Sequence, residues 1–170
     1  MQRIHWNSRP LAIFSLAVLM TLLVAAVYVR TSQATPGSGV TPSPIAAGEL
    51  PEPISLKFKT ERSGFGNGTK VTNLSMVKFV VIPGGKFGWH QHGGPVWVVI
   101  ASGTLTLYYG DDPACQGTEF GPGSAFLDPG DHTHNARNEG TEDVVVYATF
   151  MLPEGGAPRV DVENPGVCPF

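Results

Sequence analysis

Short apolar runs, separated by glycine- and proline-rich turns, recur along most of the chain. The β-rich runs span residues 54–60, 71–82, 96–100, 104–109, 124–127 and 144–152. The first of them alternates apolar and polar positions, the period-two pattern of a strand with one buried face. Short strands at this spacing, with turn residues between them, are typical of a sandwich or barrel. Because helix signals are almost absent from this region, the pattern predicts an all-β domain.

A different pattern occupies the N-terminus. Arg3 and Arg9 precede an uncharged apolar run over residues 11–29. A positive flank before such a run is typical of an export signal, and the run approaches the roughly 20 residues that span a bilayer as a helix. A small-x-small cleavage pattern ends at Ala34. Residues 1–34 are therefore predicted to form a hydrophobic helix, either a cleaved signal peptide or a retained membrane anchor.

Residues 35–53 contain five prolines and little apolar bulk. This composition predicts an extended, exposed linker. The globular domain is then expected to cover residues 54–170. Since the positive N-terminus should stay in the cytoplasm, this domain is expected outside it, either secreted or held at the cell surface.

Charge and cysteine content narrow the function classes. Only 15 % of the residues are charged and the net charge is −3, which argues against a nucleic-acid partner because phosphate binding needs a basic surface. Cys115 and Cys168 are the two cysteines. In an oxidising compartment paired thiols persist, so a disulfide between them is predicted, with two unrelated buried thiols as the alternative.

Four histidines of the domain occur in two pairs: His90 with His92, and His132 with His134. Residues two apart on a strand point to the same face, so each pair can direct both imidazoles into one barrel interior. Imidazole binds zinc, copper, iron and nickel. The pattern therefore favours a shared metal site, against the alternative of four histidines with no common site.

The sequence around these pairs resembles the two motifs of the cupin superfamily. Gly84-x5-His90-x-His92, followed by Gly103, is similar to the first motif, G-x5-HxH-x3-4-E-x6-G. Gly123-x5-Pro129, followed by His134-x3-Asn138, is similar to the second, G-x5-P-x-G-x2-H-x3-N. The resemblance runs from residue 84 to residue 138 and implies a single-domain cupin, a double-stranded β-helix or jelly-roll barrel.

The same resemblance implies the metal ligands. His90, His92 and His134 take the histidine places of the two motifs, while Val96 stands where the first motif has glutamate. A second departure is Asp131, which replaces the second glycine of the second motif. His132 is left as a fourth ligand, a base behind the ligands or an exposed side chain, the last being favoured because the preceding turn can rotate it away.

Three neutral imidazoles leave the full charge of a divalent transition metal at the site, whether iron, zinc, manganese, nickel or copper. Such a site should prefer a small anionic ligand, and some three-histidine cupins are oxygenases. A small metal-dependent oxygenase or isomerase is the first hypothesis, a non-catalytic binding or sensing module the second, and a metal-free barrel the third. No catalytic residue is assigned and no organic cofactor is expected. Membrane contact through an uncleaved N-terminus and a homodimer stay open.

Two further expectations concern the surroundings of the site. Trp89 and Trp97 are expected to help form an apolar pocket wall, unless they are plain core. Because free imidazole has a pKa of roughly 6.5, metal occupancy is expected to fall below about pH 6 as protons compete for the ligands.

Overall fold

Ten β-strands, and no α-helix, make up the part of the chain that the computed structural model describes, which is residues 35–57, 59 and 68–170. The strands are β1 Ser38–Leu56, β2 Thr69–Lys86, β3 His90–Gln91, β4 Val96–Ser102, β5 Leu105–Tyr109, β6 Thr118–Phe120, β7 Ala125–Asp128, β8 His134–Arg137, β9 Val144–Leu152 and β10 Val160–Asp161. The all-β prediction is confirmed. None of the described residues belongs to a helix that is long and apolar enough to cross a bilayer. The predicted hydrophobic helix over residues 1–34 lies outside the described residues.

All strand pairs are antiparallel, as in a jelly-roll barrel. The main path runs in the order β10-β3-β8-β2-β9-β4-β7, with β1 paired to β2 and β5 paired to both β6 and β8. The apolar runs at 71–82, 96–100, 104–109 and 144–152 lie in β2, β4, β5 and β9. Their density of β-branched and aromatic residues suits a pleated surface that is buried on one face.

The segment predicted as a linker is part of the sheet, and this corrects the expected domain boundary at residue 54. Strand β1 pairs with β2 from Ser38 opposite Lys86 to Leu56 opposite Thr69. Most of its side chains are exposed, which is why its composition resembles that of a spacer. Proline cannot donate to a ladder and is confined to edge strands and bulges. Strand β1 has β2 as its one partner and shifts register three times, at Ser38/Val40, Pro44/Ala46 and Glu49/Ile54.

The core lies on the inner face of the barrel. In β4 the side chains of Val96, Val98 and Ile100 are buried, whereas Trp97 and Val99 between them are 50 % and 46 % exposed. Full burial of such an aliphatic side chain stabilises the fold by roughly 1.5–3 kcal/mol. The buried cluster consists of Val81, Val96, Val98, Ile100, Leu105, Leu107, Ala136, Val144, Val146, Ala148, Phe150 and Leu152. The period of two in the sequence thus separates the packed interior from the outer surface.

Cys115 and Cys168 are bonded, with their Cα atoms 5.2 Å apart, so the predicted disulfide is confirmed. The bond ties the C-terminal tail to the loop after β5. The tail also packs through Phe170, whose ring lies 4.9 Å from that of Tyr108 and 3.9 Å from the Arg137 guanidinium. Since Arg137 belongs to β8, the tail is attached to a strand that also contributes to the histidine cluster.

Candidate metal centre

Three histidines converge inside the barrel. His90 in β3 lies directly opposite His134 in β8, and His92 follows β3 by one residue. Their ring centroids are 4.3 Å apart for His90 and His134, 4.8 Å for His90 and His92, and 5.0 Å for His92 and His134. One candidate ligand atom from each ring lies within 4.8 Å of the others. Two nitrogens bound to one ion lie at most about 4.2 Å apart, twice a metal–nitrogen bond of about 2.1 Å, so the rings would have to move slightly closer together to share an ion.

A turn between β7 and β8 fixes His92. The Gly130 carbonyl accepts a hydrogen bond of 2.7 Å from the His92 backbone N–H. Gly130 has a φ of 106° and its missing side chain would lie 2.8 Å from the Gly94 backbone, so only glycine suits this position. The glycine that stands one place early against the cupin motif is therefore the one that this turn requires, and Asp131 takes a position that needs no glycine.

Asn138 holds the end of the second motif. Its side-chain amide donates to the carbonyls of Val81 and Glu142, at 2.8 and 2.7 Å, and its side-chain oxygen accepts from the Gly140 N–H. Its backbone N–H donates to the Gly85 carbonyl. These bonds fasten the chain just after β8 to β2 and thereby fix the strand that carries His134.

Each of the three imidazoles is oriented by a backbone carbonyl. The Nδ1 atoms of His90, His92 and His134 lie 2.7, 2.7 and 2.8 Å from the carbonyl oxygens of Gly88, Pro158 and His132, respectively. A carbonyl can only accept, so in all three rings Nδ1 carries the hydrogen. The Nε2 atom of each neutral ring then keeps a free lone pair. Metal-binding histidines in proteins are oriented by this kind of bond from the other ring nitrogen.

Burial keeps the three imidazoles neutral. It lowers the pKa of His90 from 6.5 to about 2, and His134 and His92 beside it lower that pKa further. Burial also lowers the pKa of His92 and of His134 to about 4, and His134 adds to the effect at His92. Neutral imidazole is the form that binds a metal. In the metal-free protein these rings therefore take up protons only in more acidic solution, which lowers the pH at which protons are expected to compete with a metal.

His132 lies outside this cluster. Its Nε2 atom is 3.0 Å from an Asp111 carboxylate oxygen, and its ring lies 5.2 Å from that of Tyr109. The side chain is 21 % exposed, so it is partly buried rather than freely solvated. Its backbone carbonyl is the acceptor that orients His134. Of the second pair of histidines, His134 therefore belongs to the cluster, whereas His132 is paired with Asp111.

Val96 and Asp128 form the wall beside the histidines. Val96 is 1 % exposed and lies directly opposite Asp128 in the β4–β7 ladder. Asp128 is also buried; its Oδ1 atom accepts a 2.7 Å bond from the Gly130 N–H, and its Oδ2 atom lies 3.1 Å from Nδ1 of His134. Burial raises the pKa of Asp128, while His92 and the Gly130 bond act in the opposite direction. The sequence motifs gave no reason to single out this carboxylate.

A cavity of about 550 Å³ opens beside the cluster. Most of its wall is apolar and includes four phenylalanines: Phe79, Phe87, Phe126 and Phe150. Its ionisable wall residues are the three clustered histidines, Asp128 and Arg159. Neither tryptophan lines the cavity: Trp97 points outwards, and Trp89 is a buried core residue, the alternative to a pocket wall. Strand β1 closes part of the wall with residues 38–40.

The donor set fits a divalent transition metal of the kind that cupins often hold. Three neutral imidazoles with free Nε2 lone pairs match the nitrogen ligands of such ions. The buried Oδ2 atom of Asp128 has no hydrogen-bond partner among the described residues. An unpaired buried carboxylate oxygen is destabilising, and a nearby cation would offset that cost. Both observations agree with a metal at this position.

Comparison with known proteins places the domain in a family. The family model described as "Cupin domain" matches residues 77–150, the stretch that carries all three clustered histidines. Residues 77–150 form a cupin domain. No curated protein matches the chain.

Several solved structures are similar to this chain at low sequence identity. The polyketide cyclase RemF from Streptomyces resistomycificus is 15 % identical, with a TM-score of 0.50 over 97 % of this chain and 89 % of that one. A cupin superfamily protein from Desulfitobacterium hafniense is 13 % identical, with a TM-score of 0.46 over 77 % and 88 % of the two chains. KdgF from Halomonas sp. is 16 % identical, with a TM-score of 0.43 over 72 % and 81 %. At 15 % identity the likeness to RemF shows the fold alone.

Proposed function

We propose that this cupin binds one divalent transition metal through His90, His92 and His134 and acts on a small anionic molecule in the adjoining cavity. The observation that carries the proposal is the common orientation of the three imidazoles, each with Nδ1 bonded to a carbonyl and Nε2 left free. A metal held there would supply Lewis-acid polarisation of a bound water or carbonyl. A small metal-dependent oxygenase or isomerase is the reaction class that such a site suits best.

The cavity wall supports a ligand with a largely apolar body and one anionic group. The phenylalanines would exclude water and bury apolar surface of the ligand, as in other small-molecule sites. Arg159 lines the cavity and its side chain remains 33 % exposed. It already donates to the Phe87 carbonyl at 2.7 Å and to Asp161 at 2.5 Å, so its guanidinium is held in place. Its positive charge would favour an anion over a neutral molecule.

A binding or sensing module without turnover is the second candidate. Among the described residues of the cavity wall, Asp128 is the one carboxylate. The other groups there that could act as an acid or a base are the clustered histidines themselves. Enzymes that move protons usually need a positioned acid or base within hydrogen-bond reach of the substrate. A site with so few such groups also suits reversible binding.

Elemental analysis tests the proposal directly. Protein prepared without chelators and without a histidine tag should contain close to one equivalent of a single transition metal. Oxygen uptake or product formation with small thiols and carboxylic acids would then support the enzyme, whereas stoichiometric binding without product would support the module. Metal content near zero, together with no uptake of added zinc, iron or manganese, would contradict the proposal and favour a metal-free barrel.

We also propose that the domain works outside the cytoplasm, either secreted or anchored at the membrane. The apolar N-terminal run supports this, and the disulfide agrees with an oxidising compartment. In cells that express the full chain, we expect N-terminal sequencing to find either a start near Thr35 or an intact chain in the membrane fraction. Full-length protein that is soluble in the cytoplasm would contradict the proposal.

The metal-free protein is expected to lose stability as the pH falls below about 6.5. In the unfolded chain the imidazoles take up protons near that pH, whereas in the folded protein His92 and His134 stay neutral to about 4 and His90 to about 2. The unfolded state therefore binds more protons over this interval, so the free energy of unfolding decreases with falling pH. Thermal unfolding of chelator-treated protein should give a lower Tm at about pH 5 than at about pH 7.

The variant His90→Gln provides the control for this pH dependence. It removes one buried ring that cannot take up a proton in the folded state, so its Tm should differ less between the two pH values. Equal Tm values for the unaltered protein at both pH values would mean that the three rings titrate alike in the folded and unfolded chains.

A further inference from the structure

We propose that Asp128 supplies, from across the sheet, the carboxylate that the related motif carries at position 96, and that it acts on the metal site through His134. The inference rests on the proposed metal-binding function and deepens it. The carboxylate would thus lie in β7 rather than in the neighbouring strand β4, on the same inner face of the barrel.

The register of β4 and β7 places positions 96 and 128 side by side at the site. Val96 and Asp128 are direct partners in the antiparallel pair of β4 and β7. Direct partners point to the same face of a sheet, with Cβ atoms about 4.5–5.5 Å apart. Both side chains are buried and both line the cavity beside the histidines. A carboxylate at 128 therefore occupies the same part of the wall as one at 96.

The two carboxylate oxygens of Asp128 have different contacts. The Oδ1 atom accepts the 2.7 Å bond from the Gly130 N–H and so belongs to the turn that holds His92. The Oδ2 atom lies 3.1 Å from Nδ1 of His134, yet the hydrogen on that nitrogen is directed to the His132 carbonyl. Oδ2 is consequently buried with no hydrogen-bond partner among the described residues. The turn needs only one acceptor, Oδ1, so it does not explain why Oδ2 is buried without a partner.

The charge of Asp128 is also without a cationic partner. Among the described residues no lysine or arginine forms an ion pair with it, and Arg159 is paired with Asp161 instead. A buried charge that lacks a partner is strongly destabilising. A divalent metal bound to Nε2 of His134 would remove this imbalance, because the ring would then carry positive charge towards Oδ2. Arrangements of carboxylate, histidine and metal of this kind raise the basicity of the ligand and fix its orientation.

Two roles for Asp128 give opposite results in the metal-free protein. If the residue only supports the turn, its loss lowers the stability of the metal-free protein together with the metal affinity. If it provides charge for the metal site, its neutralisation leaves the stability of the metal-free protein unchanged or raises it, because an unpaired buried charge disappears. Only the affinity for the metal falls. The pair of measurements therefore separates a positioning residue from a structural one.

The test compares Asp128→Asn with Asp111→Asn in the otherwise complete chain. Asp111 is the matched control because it also lies 3.0 Å from a histidine, His132, but outside the cluster. We expect Asp128→Asn to weaken Zn²⁺ or Co²⁺ binding by about 10- to 100-fold, the usual effect of losing such a partner, and to shift the visible spectrum of the Co²⁺ form. Asp111→Asn should change neither. The Tm of chelator-treated Asp128→Asn should equal or exceed that of the unaltered protein.

Two further variants complete the test. Asp128→Ser keeps an oxygen that can accept the Gly130 bond and has no charge, so it should show the same loss of affinity should Asp128→Asn not fold. Val96→Glu in the Asp128→Asn background should recover affinity, and by a larger factor than Val96→Glu alone, since in the unaltered protein a carboxylate is already present. Unchanged affinity in both Asp128 variants, or a joint loss of affinity and metal-free stability, would overturn the inference. No metal binding by the unaltered protein would instead overturn the proposed function.

Discussion

Replacing His134 with alanine is expected to abolish stoichiometric metal binding. Its ring lies within 5.0 Å of both other rings, centroid to centroid, and it is almost fully buried. Removing it leaves two imidazoles and a buried gap that the strand pairing of β8 cannot close. Loss of an outer partner of a metal ligand already costs about 10- to 100-fold in affinity, so loss of a ligand should cost more than about 100-fold. Elemental analysis and titration with Zn²⁺ measure this directly.

His132→Ala is the matched comparison, because His132 lies two residues away and belongs to the same sequence pair. Its ring contacts Asp111 and Tyr109 rather than the cluster, and the carbonyl that orients His134 is retained by any residue at this position. Metal content should therefore stay close to that of the unaltered protein. If His132→Ala strips the metal and His134→Ala does not, the assignment of the second motif is wrong. If neither changes it, the three-histidine site does not bind a metal.

The convergence of the three histidines could be predicted because it depends on local spacing. Alternation along a strand brings His90 and His92 to one face, and the motif spacing selects His134 over His132. The inward position of Val96 follows from the same parity. Antiparallel pairing of β3 with β8 then brings His90 opposite His134. The shared face of His90 and His92 and the inward position of Val96 follow from a period of two. The choice of His134 rests on the resemblance to the second cupin motif, and the pairing of β3 with β8 had no signal of its own in the sequence.

Strand β1 could not be predicted, because its composition is typical of a linker although its backbone is paired with β2. Four prolines and exposed side chains are typical of a spacer, yet backbone hydrogen bonds to β2 need no apolar side chains. The bulges at Pro44/Ala46 and Glu49/Ile54 accommodate the chain where the ladder is interrupted. The strands β3 and β10, of two residues each, were also beyond prediction, since two residues cannot display a period.

Asp128 was missed for a different reason. In the sequence it stands before Pro129 and Gly130 and has the composition of a turn, where aspartate commonly accepts a bond from a nearby backbone N–H. The structure contains that bond, to Gly130. Its position opposite Val96 depends on the pairing of β7 with β4, which joins residues 32 positions apart. The register of these two strands, which the sequence does not display, places the carboxylate on the wall beside Val96.

The disulfide between Cys115 and Cys168 is expected to contribute a large part of the stability. The two cysteines are 53 residues apart, and closing a loop of that length restricts the unfolded chain enough to stabilise the fold by roughly 4 kcal/mol. Domains of this size are usually stable by only about 5–15 kcal/mol. The double variant Cys115→Ser/Cys168→Ser should therefore unfold at a clearly lower denaturant concentration. Its dependence on denaturant should be somewhat steeper, because the unfolded chain without the bond is more expanded and exposes more surface.

The histidine cluster provides the internal control for this experiment. The bond joins the loop after β5 to the C-terminal tail, while the three rings are held by carbonyls of Gly88, Pro158 and His132. At low denaturant the variant should thus keep its metal affinity, and reductant should lower the unfolding midpoint of the unaltered protein but not that of the variant. Identical midpoints for both proteins would contradict the prediction. A variant that loses its metal while still folded would indicate that the tail, through Phe170 and Arg137, helps to position β8 and with it His134.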